Sequence, residues 1–302
     1  MKIAVTGSSG VMGRALVPAL RDDGHEVLRL VRRTPRTADE HRWDPQHRRI
    51  DPAVLADVDA VVNLAGASFA PRPWTRAYEQ RLVTSRVDST VTISEALAAA
   101  ATADPSRPRV LLSGSGVSYY GDTGDRAVTE ETPQGTGFMA DMPAQWEAAT
   151  APAEGAGVRI VHLRTGLVIA RGAPLMRVLG LVFRLGLGGR IGSGRQYWPW
   201  ISLADQVGAI RHLLTADVAG PVNLTAPTPV TNAEFTRILG RVLRRPTVLR
   251  VPGYPLNLVL RDFGRSTVVG GQRALPTRLL ESGYEFSCTD LSEALRTALT
   301  KA

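Results

Sequence analysis

Residues 3–16 read IAVTGSSGVMGRAL. A short apolar run ends at Thr6, three glycines follow at Gly7, Gly10 and Gly13, and helical spacing begins at Val11. The physics of such a turn is specific. Its first glycine permits a tight bend, the second lets the backbone approach a pyrophosphate, and the third lets the helix pack closely on the strand. The unpaired N–H groups of Ser9, Gly10, Val11 and Met12 would then stand at the positive end of a helix dipole, where anions are favoured. A glycine motif alone says little. Here it lies between a strand and a helix, and a second strand, EVLRLV (26–31), follows at the expected distance, which makes it a dinucleotide loop. Pro18, inside the first helix, is expected to kink it or limit its first turn.

Working outward, DAVVNLAG, RVLLSGS and VRIVHLR read as further buried strands, and residues 74–100 and the stretch around Trp146 read as helices. Strands alternating with helices imply parallel pairing with crossovers, an α/β doubly wound sheet. Beyond Arg171 the rhythm changes to helices, a glycine-rich aromatic loop and Pro/Gly turns. The expected division is a dinucleotide-binding domain over 1–171, which also receives roughly 200–226, and a smaller α/β substrate lobe over 172–302.

The end of the second strand selects among dinucleotides. An acid there would bind an adenosine 2′-hydroxyl. This strand ends LVRRT, placing Arg32 and Arg33 where a 2′-phosphate would sit, so NADP(H) is expected over NAD(H).

Composition excludes several classes. No stretch approaches the roughly 18 apolar residues of a membrane span, and the N-terminus enters a strand without a signal core, so a cytoplasmic location is expected. Cys288 is the one cysteine and reads as an inert thiol. His25, His41, His47, His162 and His212 show no ligand spacing, so no metal is expected. The formal charge of +8 comes from scattered arginines and reads as solvated surface. The expected partner is a small-molecule substrate, with no nucleic acid and no membrane; a homodimer is allowed.

The ordered segments TGSSGVMG (6–13), VNLAGAS (62–68), SYYGDTGD (118–125), WEAAT (146–150), LRTGLVIARG (163–172) and GQRALP (271–276) carry a family resemblance. With others they run almost from end to end. The chain resembles the extended short-chain dehydrogenase/reductases, and within them the atypical subgroup of epimerase family proteins with a small C-terminal domain. The resemblance implies a Rossmann-type fold. It places Leu64, Ala65 and Gly66 under the adenosine and ribose and has Arg86 facing the cofactor from the long helix. Ser113 begins the active-site strand end, and Val168 contacts the nicotinamide carboxamide. By the same resemblance, Tyr197, Trp198 and Trp200 cover the substrate, and aromatics there favour a partly apolar or planar molecule. Phe69 and Trp74 are candidates for the same mouth.

The family's usual chemistry pairs a tyrosine with a lysine four residues on, the lysine lowering the tyrosine pKa from roughly 10. Lys2 and Lys301 are the only lysines in this chain, and no tyrosine has one at that spacing. By count from Glu147, Met139 and Pro143 fill the dyad positions. Arginine does not simply substitute, because its geometry and permanent protonation differ. Ser115 matches the family serine, and Tyr119 or Tyr120 remains as proton donor, assisted by Arg86 or Arg164. Three readings stay open: an NADP-dependent oxidoreductase or epimerase with rearranged acid/base groups, an NADPH-binding sensor or regulatory protein without turnover, and purely structural tyrosines.

Overall fold

The computed structural model describes residues 1–69, 75–251 and 270–300. Its central sheet has eight strands: β1 (Lys2–Thr6), β2 (Glu26–Val31), β3 (Glu40–Asp44), β4 (Arg49–Ile50), β5 (Ala60–Asn63), β6 (Val110–Gly116), β7 (Arg159–Thr165) and β8 (Gly220–Leu224). The spatial order is β8-β7-β6-β5-β1-β2-β3-β4, parallel throughout except for the β3–β4 pair. Strand order reverses at β1, between β2 and β5. In doubly wound sheets, ligands bind in the crevice at such a switch point, beyond the strands' carboxyl ends.

Successive residues of one strand point to opposite faces, and here both faces are buried. On one, Ile3, Val5, Val62 and Leu112 pack with Leu16 and Leu20 of α1 (Val11–Asp22) and Ile210 and Leu213 of α6 (Leu203–Thr215). On the other, Ala4, Val61, Leu111 and Ile160 meet Ile93 and Leu97 of α2 (Arg76–Ala103) and Ala153 of α4 (Ala151–Gly155). The remaining crossover helix, α3 (Phe138–Ala148), precedes α4.

Two local features go beyond the sequence reading. The helix α1 runs unbroken through Pro18, so the proline does not confine the helix to a first turn. Strands β3 and β4 were not expected, because EHRWD shows no apolar alternation; Trp43, 3% exposed, is its one large apolar core residue.

A third core belongs to the second lobe. Met176 and Phe183 of α5 (Pro174–Arg184), Phe235 and Leu239 of α7 (Asn232–Leu243), Trp198, Trp200 and Leu295 of the helix Leu291–Leu299 pack together. A capping box, Thr231 with Glu234, starts α7. Four short strand pairs complete the lobe and its junction: Leu167–Ile169 with Trp200–Ser202, Gly189–Ile191 with Leu249–Val251, Tyr197–Trp198 with Val230–Thr231, and Ala127–Val128 with Arg273–Ala274. The chain does not keep to its lobes. β8 and α6 belong to the main sheet, and Leu279, Tyr284 and Phe286 also pack on the first core.

Candidate nucleotide site and adjoining polar cluster

The loop after β1 is built around its glycines. Gly7 has φ +65, and a Cβ there would lie 2.6 Å from the Leu64 carbonyl oxygen; a Cβ on Gly13 would lie 2.4 Å from the Gly7 oxygen. A side chain at Gly7 would push the turn off the end of β5, and one at Gly13 would push α1 off the turn. The buried Thr6 hydroxyl closes the same junction, donating to Asn63 Oδ1 at 2.6 Å and accepting from the Leu64 and Ala65 amides at 3.0 Å each. No side chain caps α1 and no acid lies in its first turn, so its positive end is left uncompensated. Ser9 and Gly10 are exposed there, and Val11 and Met12 are half-buried.

The two arginines after β2 have different surroundings. Arg33 makes a bidentate pair with Glu40, at 2.7 and 2.6 Å, and Glu40 also accepts from the Arg36 amide at 2.8 Å. Arg33 therefore fastens β2 to β3. Arg32 is exposed and makes no ion pair among the described residues.

Leu64 and Ala65 are half-buried and Gly66 is exposed beside Arg86, whose side chain a Gly66 Cβ would meet at 3.2 Å. Arg86 is 5% exposed. It donates to the carbonyls of Leu82 (3.0 Å) and Ala67 (3.1 Å), and its Nε has no partner among the described residues. Burial pulls its pKa down to about 10. Its guanidinium lies over the rings of Phe69 (4.3 Å) and Trp146 (5.1 Å). Ser113 is fully buried with its hydroxyl unpaired among the described residues. Val168 is half-buried on the strand Leu167–Ile169.

Past Trp146, which a Gly114 Cβ would strike at 2.6 Å, lies a second cluster at the ends of β6 and β7. Ser115 donates to Glu147 Oε1 at 2.6 Å. Arg164 grips the same carboxylate through Nε and Nη2, both at 2.8 Å. Burial opposes the charge on Arg164, but Glu147 outweighs it and the Arg164 pKa rises. Arg164 also donates to the Tyr120 hydroxyl at 3.1 Å, and that hydroxyl donates to Asn223 Oδ1 at 2.7 Å. Burial pushes the Tyr120 pKa up to about 12. Tyr119 differs. Its ring lies 3.5 Å from the Arg164 guanidinium carbon, it is half-buried, and its hydroxyl makes no hydrogen bond among the described residues. His162 stands 3.8 Å from Glu147, its pKa lowered by burial.

Sequence reasoning missed Glu147 and Asn223 as members of this network. An acid near the end of the largely apolar stretch FMADMPAQWEA was the available signal for Glu147. Asn223 carried none, because only the β7–β8 pairing sets it beside Arg164. Of the residues expected at the dyad positions, Met139 is 5% exposed and packs with Tyr78 and Leu82, and Pro143 is buried. Lys2 lies at the amino-terminal end of β1, away from the strands' carboxyl ends, paired with Asp57 and Glu26, and Lys301 lies outside the described residues.

The aromatic expectation is corrected at Trp200, which is 1% exposed in the core of the second lobe and offers no face to a substrate. Trp198 is 7% exposed and stacks edge-on against Phe235, so its ring too is chiefly packing. Tyr197 is half-buried, 5.3 Å from the Arg273 guanidinium. Trp74 lies outside the described residues.

A doubly wound sheet with a glycine-cradled switch point defines a Rossmann-type, nucleotide-binding protein of the extended short-chain dehydrogenase/reductase class. The chain belongs to the NAD dependent epimerase/dehydratase family, matched over residues 3–225, and residues 251–298 match a domain of unknown function, DUF1731. It is 44% identical over 300 residues to an epimerase family protein of Mycobacterium bovis, covering 99% of this chain and 98% of that one. The crystal structure of human epimerase family protein SDR39U1 with NADPH superposes with a TM-score of 0.87 at 32% identity, covering 100% of both chains. A nucleoside-diphosphate sugar epimerase from Corynebacterium glutamicum gives 0.80 at 31% identity, over 99% of this chain and 58% of that one.

Proposed function

We propose that the protein binds NADP(H) and acts in the cytoplasm as an oxidoreductase or epimerase on a small molecule, without the Tyr/Lys dyad. The observation that carries the reading is the Gly7–Gly13 cradle at an uncapped helix start, with Arg32, after the end of β2, exposed and without an ion pair among the described residues. Both fit a dinucleotide bearing a 2′-phosphate, and the NADPH in the human relative's structure supports the same cofactor. The bound nicotinamide would supply or accept hydride. The backbone amides of Ser9–Met12 would hold the diphosphate, Arg32 the 2′-phosphate, and Leu64–Gly66 and Arg86 the wall beside them. Tyr119 is the group with a proton to give to a substrate oxygen, while Ser115, its own proton held by Glu147, is placed to accept from a substrate hydroxyl. Glu147 and Arg164 hold Ser115 in place and set a cation against the Tyr119 ring.

Titration of the protein with NADPH and NADH checks this. Arg32→Asp should weaken NADPH relative to NADH by tenfold or more, about the loss of one hydrogen bond to a charged group. An unchanged ratio would remove Arg32 from the site.

A second reading, an NADPH-binding sensor without turnover, is favoured by Met139 and Pro143 at the dyad positions and by the fully engaged Tyr120 hydroxyl. NADPH oxidation with any member of a broad carbonyl panel supports the enzyme; tight binding with no oxidation supports the sensor.

A further inference from the structure

The formal charge of +8 is not evenly spread. Residues 1–171 contain twenty basic and twenty acidic residues, so the whole excess lies in 172–302, with sixteen basic against eight acidic. Within that lobe the strands Gly189–Ile191 and Leu249–Val251 are parallel, with Gly189 beside Leu249, so the segments entering them stand side by side. One follows α5 and presents Leu185 (64% exposed) and Leu187 (57%); the other follows α7 and presents Val248 (84%). The outer side of α5 extends this apolar edge through Leu181, while Met176, Gly180 and Phe183 face the core. That outer side mixes apolar and cationic side chains, Val178 and Leu181 beside Arg177 and Arg184, the composition of a helix that lies at a charged interface. Arg244, Arg245 and Arg250 are exposed around these tips, and none makes an ion pair among the described residues; Arg184 is exposed too, but its Nη2 donates to the Leu299 carbonyl at 2.7 Å.

We propose that this edge docks the protein on an anionic bilayer surface, its leucine and valine tips entering the headgroup–acyl boundary and its arginines pairing with lipid phosphates. The tips protrude, which suits insertion at an interface. A second copy placed across the edge would set arginine against arginine, whereas an anionic lipid surface complements them. No helix among the described residues is long and apolar enough to cross a membrane, and an interfacial anchor needs none. The expectation of no membrane partner rested on the missing span, which does not bear on surface docking.

Flotation of the full chain with phosphatidylcholine vesicles, with and without phosphatidylglycerol, tests the proposal. The protein should float only with the anionic vesicles, and less as salt rises. Leu185→Glu/Leu187→Glu and Arg244→Glu/Arg245→Glu should each reduce flotation about tenfold or more, with NADPH titration unchanged as the check on folding. Failure of the unaltered protein to float overturns the proposal, as does equal flotation of the leucine variant. A dimer in sedimentation equilibrium that the leucine variant loses would assign the edge to a second copy, and overturns it too.

Discussion

The Tyr120 hydroxyl donates to Asn223 and accepts from Arg164, whereas the Tyr119 hydroxyl makes no hydrogen bond among the described residues. The two phenols therefore differ in what their removal does to the fold. Tyr120→Phe strands a buried Asn223 oxygen and removes an acceptor from Arg164, and should cost about 1–3 kcal/mol in urea unfolding. Tyr119→Phe should change stability by less than about 0.5 kcal/mol, and any loss of turnover it causes would be chemical. Equal stability losses would put both tyrosines in the structural network. Sequence adjacency concealed this difference. The turn containing Tyr119 and Tyr120 is one 3-10 element, and only the placement of β7 and β8 beside it decides which hydroxyl is enclosed.

At the scale of elements, β2 and the start of β3 are held together by charge. Arg33, and then the Arg36 amide, hold the Glu40 carboxyl down at about 2 from its ordinary 4.5. Arg29 likewise holds Asp39 far below the usual carboxylate range. A depressed carboxyl contributes stability above its unfolded value and loses it as pH falls toward the folded one. The Glu40 contribution should thus be full above about pH 4.5 and fade toward about pH 2. Denaturant midpoints measured across this range should show that acid limb, and Glu40→Gln should flatten it. An identical limb in the variant would show that other carboxylates set it. The pairing was not legible beforehand, because β3 has no apolar alternation to mark it as a strand.

For the whole molecule, the lobes are tied rather than strung. Asp205, fully buried near the start of α6, accepts from the Ser202 hydroxyl (2.7 Å), the Ser287 amide (2.6 Å) and hydroxyl (2.8 Å), and the Cys288 amide (3.1 Å). With Leu279, Tyr284 and Phe286 on the first core, this joins the C-terminal segment to the main sheet. Calorimetry should therefore show one unfolding transition, with matching calorimetric and van't Hoff enthalpies. Two resolved transitions would mean the lobes fold separately.

Three glycines in a strand–loop–helix setting, and apolar strands at regular spacing, were enough to determine the sheet, its direction and the nucleotide crevice. Those signals are local: a backbone that must turn tightly, and faces that must be buried. The missing dyad was equally plain, since two lysines can be counted. Tertiary structure decided what depends on distant strands meeting. It tied Arg33 to Glu40 and left Arg32 without an ion pair among the described residues, set Glu147 between Ser115 and Arg164, and enclosed Trp200. Each depends on residues distant in sequence coming together, of which their own neighbours carry no trace.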